Sequence, residues 1–260
     1  MKCKIAYIGL LFFSFYSFAQ GKLTFLTIEN TSKSISKELI VYLPEGYENS
    51  NKKFPVLYMH DAQNLFLDSI SYAGEWRIDE TLDSLKAKII VVGIYHGNEK
   101  RVNELTPFKN EKYGGGEANA YLDFLVNTIK PTIDSRFRTK KNKQNTFIMG
   151  SSLGGLTSFY AALKYLNVFA AAGVFSPSFW YSTEIYTYAN NHLNPKTRFY
   201  FMCGEAESDS MVLDMKNMTD LIRNNAPKLD FFSRTVPNGM HNEKLWANEF
   251  AKAYLWLLKN

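Results

Sequence analysis

The run Gly150-Ser151-Ser152-Leu153-Gly154-Gly155 follows directly on the apolar stretch Thr146-Phe147-Ile148-Met149. It leads into residues 153–163, where Leu153, Leu156, Phe159, Tyr160 and Leu163 recur at helical spacing. An aromatic and β-branched run before the glycines and a helical stripe after them leave one local geometry, a strand that turns sharply into a helix. In G-x-S-x-G the flanking glycines permit a turn tight enough to hold the central hydroxyl clear of the backbone, here that of Ser152. Glycines also close strands against helices where no chemistry occurs, so the motif takes its weight from this context rather than from its letters.

Apolar, β-rich runs alternate with helical ones along the rest of the chain, as in an α/β sheet covered by helices on both faces. The candidate strands are residues 23–28, 38–43, 56–60, 89–95, 146–149, 171–175, 198–203 and 230–236, the later ones pairing in parallel. Helical stripes run through Tyr121, Phe124, Leu125 and Ile129, through Met211, Met215 and Met218, and through Trp246, Phe250, Tyr254 and Leu257. Such methionine and aromatic stripes read as core. Pro44 and Pro131 punctuate a strand end and a helix. With no repeat or linker, residues 20–260 read as a single domain. The connection 176–196 is too short for a separate lid domain, whereas the polar connections 61–79 and 96–117 follow strands at the edge where open α/β sheets bind ligands. An open site walled by these two loops is expected.

Residues 1–19 read as an export signal: Lys2 and Lys4 are followed by an apolar core over residues 5–18 and the small-x-small site Ser17-Phe18-Ala19. The core is shorter than the roughly 20 apolar residues of a spanning helix, and its flank is polar, so cleavage before Gln20 is expected rather than a stable membrane anchor. A secreted or periplasmic location follows. Cys3 would be lost with the signal, leaving Cys203 alone and no internal disulfide. Of the formal net charge of +5, two units belong to Lys2 and Lys4, and the remainder is too small for a nucleic-acid partner. The basic run at residues 136–143 reads as a solvated connecting loop.

A serine hydroxyl is a poor nucleophile at neutral pH, so Ser152 needs a histidine to take its proton and a carboxylate to orient that histidine. In sheets that present a serine on this kind of turn, the partners follow in the order serine, acid, histidine. Of the four histidines, His60 and His96 precede the serine, and His192 precedes the strand whose end would supply the acid, reading instead as a surface loop residue. His241 remains, in the turn between the last strand and the last helix. The acid should come from Gly204-Glu205-Ala206-Glu207-Ser208-Asp209, where spacing leaves Glu207 and Asp209 both open and puts Glu205 close to the strand. An oxyanion hole would use the N–H of Leu153 and a second N–H from His60-Asp61-Ala62-Gln63-Asn64, from either Ala62 or Gln63.

These residues resemble the esterase family of the α/β-hydrolase superfamily that holds the esterase D, enterobactin-esterase-like and feruloyl-esterase-like proteins. The resemblance rests on Leu57 to Phe66, Trp76-Arg77-Ile78-Asp79-Glu80, Val91-Val92-Gly93-Ile94, Gly114-Gly115-Gly116-Glu117-Ala118, Gly150 to Gly155, Ser176-Pro177-Ser178-Phe179-Trp180 and Gly239-Met240-His241-Asn242. It implies an α/β-hydrolase fold with a mostly parallel eight-stranded sheet, and ester hydrolysis through an acyl-enzyme without metal or organic cofactor. By position it implies Ser152 as nucleophile, His241 as base, Glu207 as acid and Gln63 as second oxyanion donor. Arg101 and Trp180 look like substrate-binding wall residues. One departure is Ala62, where many relatives have glycine; a positive φ there would strain an alanine.

Relatives of this kind cleave feruloyl or acetyl esters on polysaccharides, siderophore lactones, or small thioesters, and a lidless site suits the bulky ones. Acyl transfer to a sugar hydroxyl would use the same triad, and a non-catalytic binding protein on the same scaffold is the reading from a different class.

Overall fold

The computed structural model describes residues 20–30 and 35–259; the expected export segment lies outside them. All eight expected strands form: β1 (Lys22–Asn30), β2 (Ile35–Leu43), β3 (Val56–His60), β4 (Ile90–Ile94), β5 (Thr146–Ser151), β6 (Ala171–Phe175), β7 (Arg198–Gly204) and β8 (Phe231–Val236). They build one sheet in the order β1-β2-β4-β3-β5-β6-β7-β8. The pairs β1/β2 and β2/β4 are antiparallel and all others parallel. Strands β3, β4, β5 and β6 are buried along their whole length. Their near-continuous apolar sequences are what a parallel strand covered on both faces requires.

Alternate residues of each strand feed two cores. In β3, Val56 and Tyr58 join one and Leu57 and Met59 the other. The first core is covered by α2 (Arg101–Glu104), α3 (Ala118–Phe124), α4 (Lys130–Arg136), α5 (Leu153–Lys164), α6 (Glu184–His192) and α7 (Met211–Asn225). The second lies under α1 (Ile78–Ser84) and α8 (Glu243–Leu257). The methionine stripe of α7 and the aromatic stripe of α8 are core, as their spacing implies. No separate lid domain occurs among the described residues, and none of their helices is long and apolar enough to cross a membrane.

Strand order reverses between β3 and β5, which lie side by side. At such a reversal the loops leaving the carboxyl ends diverge and open a crevice. Here the loop after His60 and the turn at Ser152 flank it.

Two local expectations are corrected. The basic run at residues 136–143 is not wholly solvated: the Arg138 guanidinium lies 3.8 Å from the Tyr47 ring centroid and donates to the Tyr47 carbonyl, while the Arg138 backbone N–H donates to the Tyr47 hydroxyl at 2.9 Å. A bridge between Phe54 and Thr139 draws this loop onto the sheet. His192 ends α6 rather than lying in a loop, its ring stacked on Tyr188 at 3.9 Å. Pro131 does not break its helix, because a π turn at Leu125–Ile129 joins α3 to α4 just before it and changes the hydrogen-bond spacing where the proline lacks a donor.

Phe159 of α5 packs against Phe179, Phe199 and Phe201 with ring centroids 5.3, 5.0 and 5.7 Å away. Truncating it removes the ring that joins α5 to β7. Phe159→Ala should lower unfolding free energy by about 3–5 kcal/mol, measured by urea denaturation.

Candidate active site

β5 delivers Ser152 to the turn, where its backbone takes φ 57° and ψ −122°. This is a conformation that residues with a Cβ avoid, costing about 1–3 kcal/mol unless the surroundings enforce it. The Ser152 N–H donates to the Phe175 carbonyl at 2.9 Å, and its carbonyl accepts from Leu156 N at 3.0 Å. A Cβ on Gly150 would stand 2.8 Å from the Gly154 backbone, so that glycine is needed for the helix to return this closely over its strand.

The carboxylate and histidine arrive on two turns that touch. A Cβ on Gly204 would lie 2.2 Å from the Gly239 carbonyl oxygen, and Ala206 N donates to that oxygen at 2.8 Å. Glu207 and His241 are thereby brought together. Glu207 Oε2 is 2.7 Å from His241 Nδ1, and His241 Nε2 is 3.0 Å from Ser152 Oγ. Glu205 instead accepts from Thr235, and Asp209 is exposed. The Glu207 side chain has no exposed surface. Its Oε1 accepts from Gly204 N and, at 2.7 Å, from the Ser176 hydroxyl. Trp246 Nε1 donates to that hydroxyl at 2.8 Å, which commits the single Ser176 proton to Glu207. The same indole packs edge-on against His241, centroids 5.0 Å apart. Ser178 adds a hydroxyl 3.3 Å from that of Ser152.

Across the crevice, β3 runs into a 3-10 turn at Ala62–Asn64. The left-handed residue is Asp61, at φ 60°, and not Ala62, so an alanine sits in the loop without strain. Gln63 and Leu153 both lie in the opening turn of a helical segment, where N–H groups have no partner within the helix. The Gln63 side chain bonds both backbone groups of His96. Asn64 donates to Glu243 at 3.0 Å, accepts from Tyr72 N and receives Trp76 N on its carbonyl, tying the loop to α8.

Residues 34–257 match the family model described as "Putative esterase". The chain belongs to this esterase family. It is 26% identical over 240 residues to the uncharacterized protein YbbA of Bacillus subtilis, covering 86% of this chain and 94% of that one. It is 26% identical over 198 residues to an endo-1,4-beta-xylanase/feruloyl esterase of Xylanibacter ruminicola, covering 72% of this chain and 25% of that protein. An IroE-like serine hydrolase from Shewanella oneidensis superposes with a TM-score of 0.73 at 20% identity, over 89% of this chain and 79% of that one. The protein is a carboxylic-ester hydrolase.

Two depressions of the esterase meet at Ser152 and His241. One is a cleft of about 680 Å³ walled by Gln63, Leu65, Ile70, Trp76 and Trp246 among others. The other is a shelf of about 430 Å³ bordered by Ser178, Trp180, Ser208, Ser210 and Met211. Arg101 lies in the cleft wall, but its guanidinium is held by Asp61 through two bonds of 2.8 Å. Burial by itself would raise the Asp61 carboxyl; the charge and bonds of Arg101 outweigh it and hold the group below its usual range. Burial raises the Glu243 carboxyl in the same cleft. Trp180 stands half exposed at the shelf. Among the described residues, the one cluster with metal-ligand spacing is Glu75, Asp79 and Glu80, and none of these lines either depression.

Sequence reasoning missed Ser176, Ser178, Trp246, Asn64 and Glu243. Ser176-Pro177-Ser178 and Asn242-Glu243 stood inside the quoted family runs or beside them, yet hydrogen-bond partners 70 and 179 positions apart leave no local pattern. His60, set aside as a base, lines the cleft with its Nδ1 2.7 Å from the Tyr121 hydroxyl. Burial lowers its imidazole from the usual 6.5 to about 4. Between those values the unfolded chain binds a proton that the folded imidazole refuses, so stability should fall as pH drops from about 6.5 towards 4. His60→Asn should flatten the slope of urea midpoint against pH across this window; an unaltered slope would place the pH dependence elsewhere.

Proposed function

We propose that this esterase is an exported serine hydrolase that cleaves a bulky carboxylic ester through an acyl-enzyme on Ser152. The observation that carries the reading is the placement of His241, with one ring nitrogen on Ser152 and the other on Glu207. In the proposed reaction His241 Nε2 takes the Ser152 proton as Oγ adds to the carbonyl carbon. The N–H groups of Leu153 and Gln63 receive the oxyanion, each such donor contributing about 3 kcal/mol to the transition state. The tetrahedral intermediate expels the alcohol, which leaves with the proton from His241. Water then adds to the acyl-enzyme by the same route, releasing the acid and restoring Ser152. Glu207 fixes the imidazole tautomer and stabilises its charged form.

Export is supported by the basic, apolar and small-x-small pattern of residues 1–19, and by a chain whose only cysteine beyond them, Cys203, is buried and free. Burial pushes that thiol up to about 12, which leaves it unreactive. A bulky substrate is supported by two depressions that converge on Ser152 without a lid domain among the described residues, and by the likeness to a xylanase/feruloyl esterase.

Purified protein should hydrolyse 4-nitrophenyl acetate and be labelled by a fluorophosphonate. Ser152→Ala should abolish labelling and cut kcat by about 10⁴-fold or more. Glu207→Gln should cost about 10²–10⁴-fold while Asp209→Asn stays within about twofold of wild type. Turnover that survives Ser152→Ala would overturn the nucleophile, and absence of both turnover and labelling would favour a binding protein. Protein recovered from the producing cell envelope or medium should begin at Gln20 on N-terminal sequencing.

A further inference from the structure

We infer that Glu243 is a positioning residue for the oxyanion step: through Asn64 it fixes the turn that carries the Gln63 N–H against the turn that carries His241. This rests on the esterase reading above and adds to it a residue outside the proposed triad.

The two turns belong to opposite sides of the crevice, where the loops leaving β3 and β5 diverge. Within the Ala62–Asn64 turn, Asn64 N and Leu65 N are already spent on the carbonyls of Asp61 and Ala62, at 3.0 and 3.2 Å. The Gln63 N–H is left to face an oxyanion, and its aim moves with the turn. A displacement of about 1 Å in such a group can cost about 10²-fold in rate. Toward β4 the turn is held by the Gln63 side chain, which bonds both backbone groups of His96. Toward the proposed triad it is held by Glu243.

The Asn64 amide has one orientation open to it. Tyr72 N donates to its Oδ1 at 3.0 Å, which commits Nδ2 to donate, and Nδ2 lies 3.0 Å from Glu243 Oε1. Glu243 opens α8 two residues after His241. Between them Asn242 caps the helix, its side chain accepting from Leu245 N at 3.1 Å. The path from His241 to Gln63 therefore runs through a capped helix end, one side-chain hydrogen bond and one peptide unit, with no free rotor along it.

Glu243 is only 8% exposed, and a Cβ on Gly74 would lie 3.5 Å from its own Cβ, so the loop before Trp76 lies over it. Burying a carboxylate is unfavourable unless donors replace its hydration, and burial raises this one. Closing the loop onto the sheet does not require it. The Trp76 ring already stacks on Phe175 at 5.5 Å and packs on Trp246 at 5.8 Å. Apolar packing of that kind sets a separation but is non-directional. A hydrogen bond restricts both distance and angle, and so supplies the register that an oxyanion donor needs.

An aryl trifluoromethyl ketone measures this register directly. Ser152 Oγ bonds to its carbonyl carbon, the hydroxyl proton passes to His241 Nε2, and the ketone oxygen becomes the oxyanion. Glu243→Ala should lower kcat on 4-nitrophenyl acetate by about tenfold to hundredfold with KM within about threefold, and should weaken the ketone by a similar factor. Asn64→Ala should do the same, and the double variant should be no worse than either single one. Glu243→Gln keeps an oxygen for Asn64 and should retain at least about a third of wild-type kcat. Should Glu243→Ala not fold, Asn64→Asp, which removes the donor at nearly constant volume, carries the same expectation. Independent, multiplying losses, or a Glu243→Gln as damaged as Glu243→Ala, would overturn the tie. So would unchanged ketone affinity in the Glu243 and Asn64 variants; with Ser152→Ala inactive, that result leaves the triad standing. Turnover surviving Ser152→Ala would instead remove the catalytic reading and this role with it.

Discussion

A carboxylate with no exposed surface lies at the centre of this molecule. Removing such a group from water costs several kcal/mol unless hydrogen bonds replace its hydration, and Glu207 is bonded on both oxygens. Its donors come from distant parts of the chain: Gly204 from the end of β7, Ser176 from the end of β6, and His241 from the turn before α8. Trp246 of α8 orients one of those donors and packs on another. Three strand ends and a helix have to be in register before the charge is satisfied, so the proposed triad and the packing of this half of the sheet stand together.

The carboxyl edge of the sheet also concentrates backbone strain. Strands β3, β5 and β6 exit through Asp61, Ser152 and Ser176, none a glycine and all at positive φ. Each has a bond that holds it in place: Asp61 with Arg101, Ser152 N with the Phe175 carbonyl, Ser176 with Glu207 and Trp246. The strain aims side chains into the crevice that a relaxed turn would direct elsewhere.

Much of this was legible from the chain alone. Apolar, β-rich runs located all eight strands, most plainly the buried parallel ones, which have a local compositional signature. Ser152 and His241 were found by motif and chain order, and the structure places them within hydrogen-bond distance. The carboxylate was ambiguous by spacing, since Glu207 and Asp209 differ only in which way a turn after Gly204 faces. The contact of Gly204 with Gly239, which no local pattern records, brings Glu207 and not Asp209 to His241. The residue bearing the positive φ in the loop after β3 was likewise misplaced by one position, from Asp61 to Ala62, because comparison with glycine-bearing relatives points to the glycine and not to its neighbour.

The reversal of strand order between β3 and β5 divides the site between two groups of loops. Everything proposed to move a proton comes from the side of β5 to β8, whose turns are pinned to one another. The cleft wall comes from the long connections after β3 and β4, anchored chiefly through Asn64, Gln63 and Asp61. Lengthening or exchanging those connections reshapes what is recognised without disturbing the chain of bonds from Ser152 to Glu207. Selectivity can thus diversify in those connections beyond the Ala62–Asn64 turn, which carries the proposed oxyanion N–H of Gln63, while the bonds from Ser152 to Glu207 stand apart.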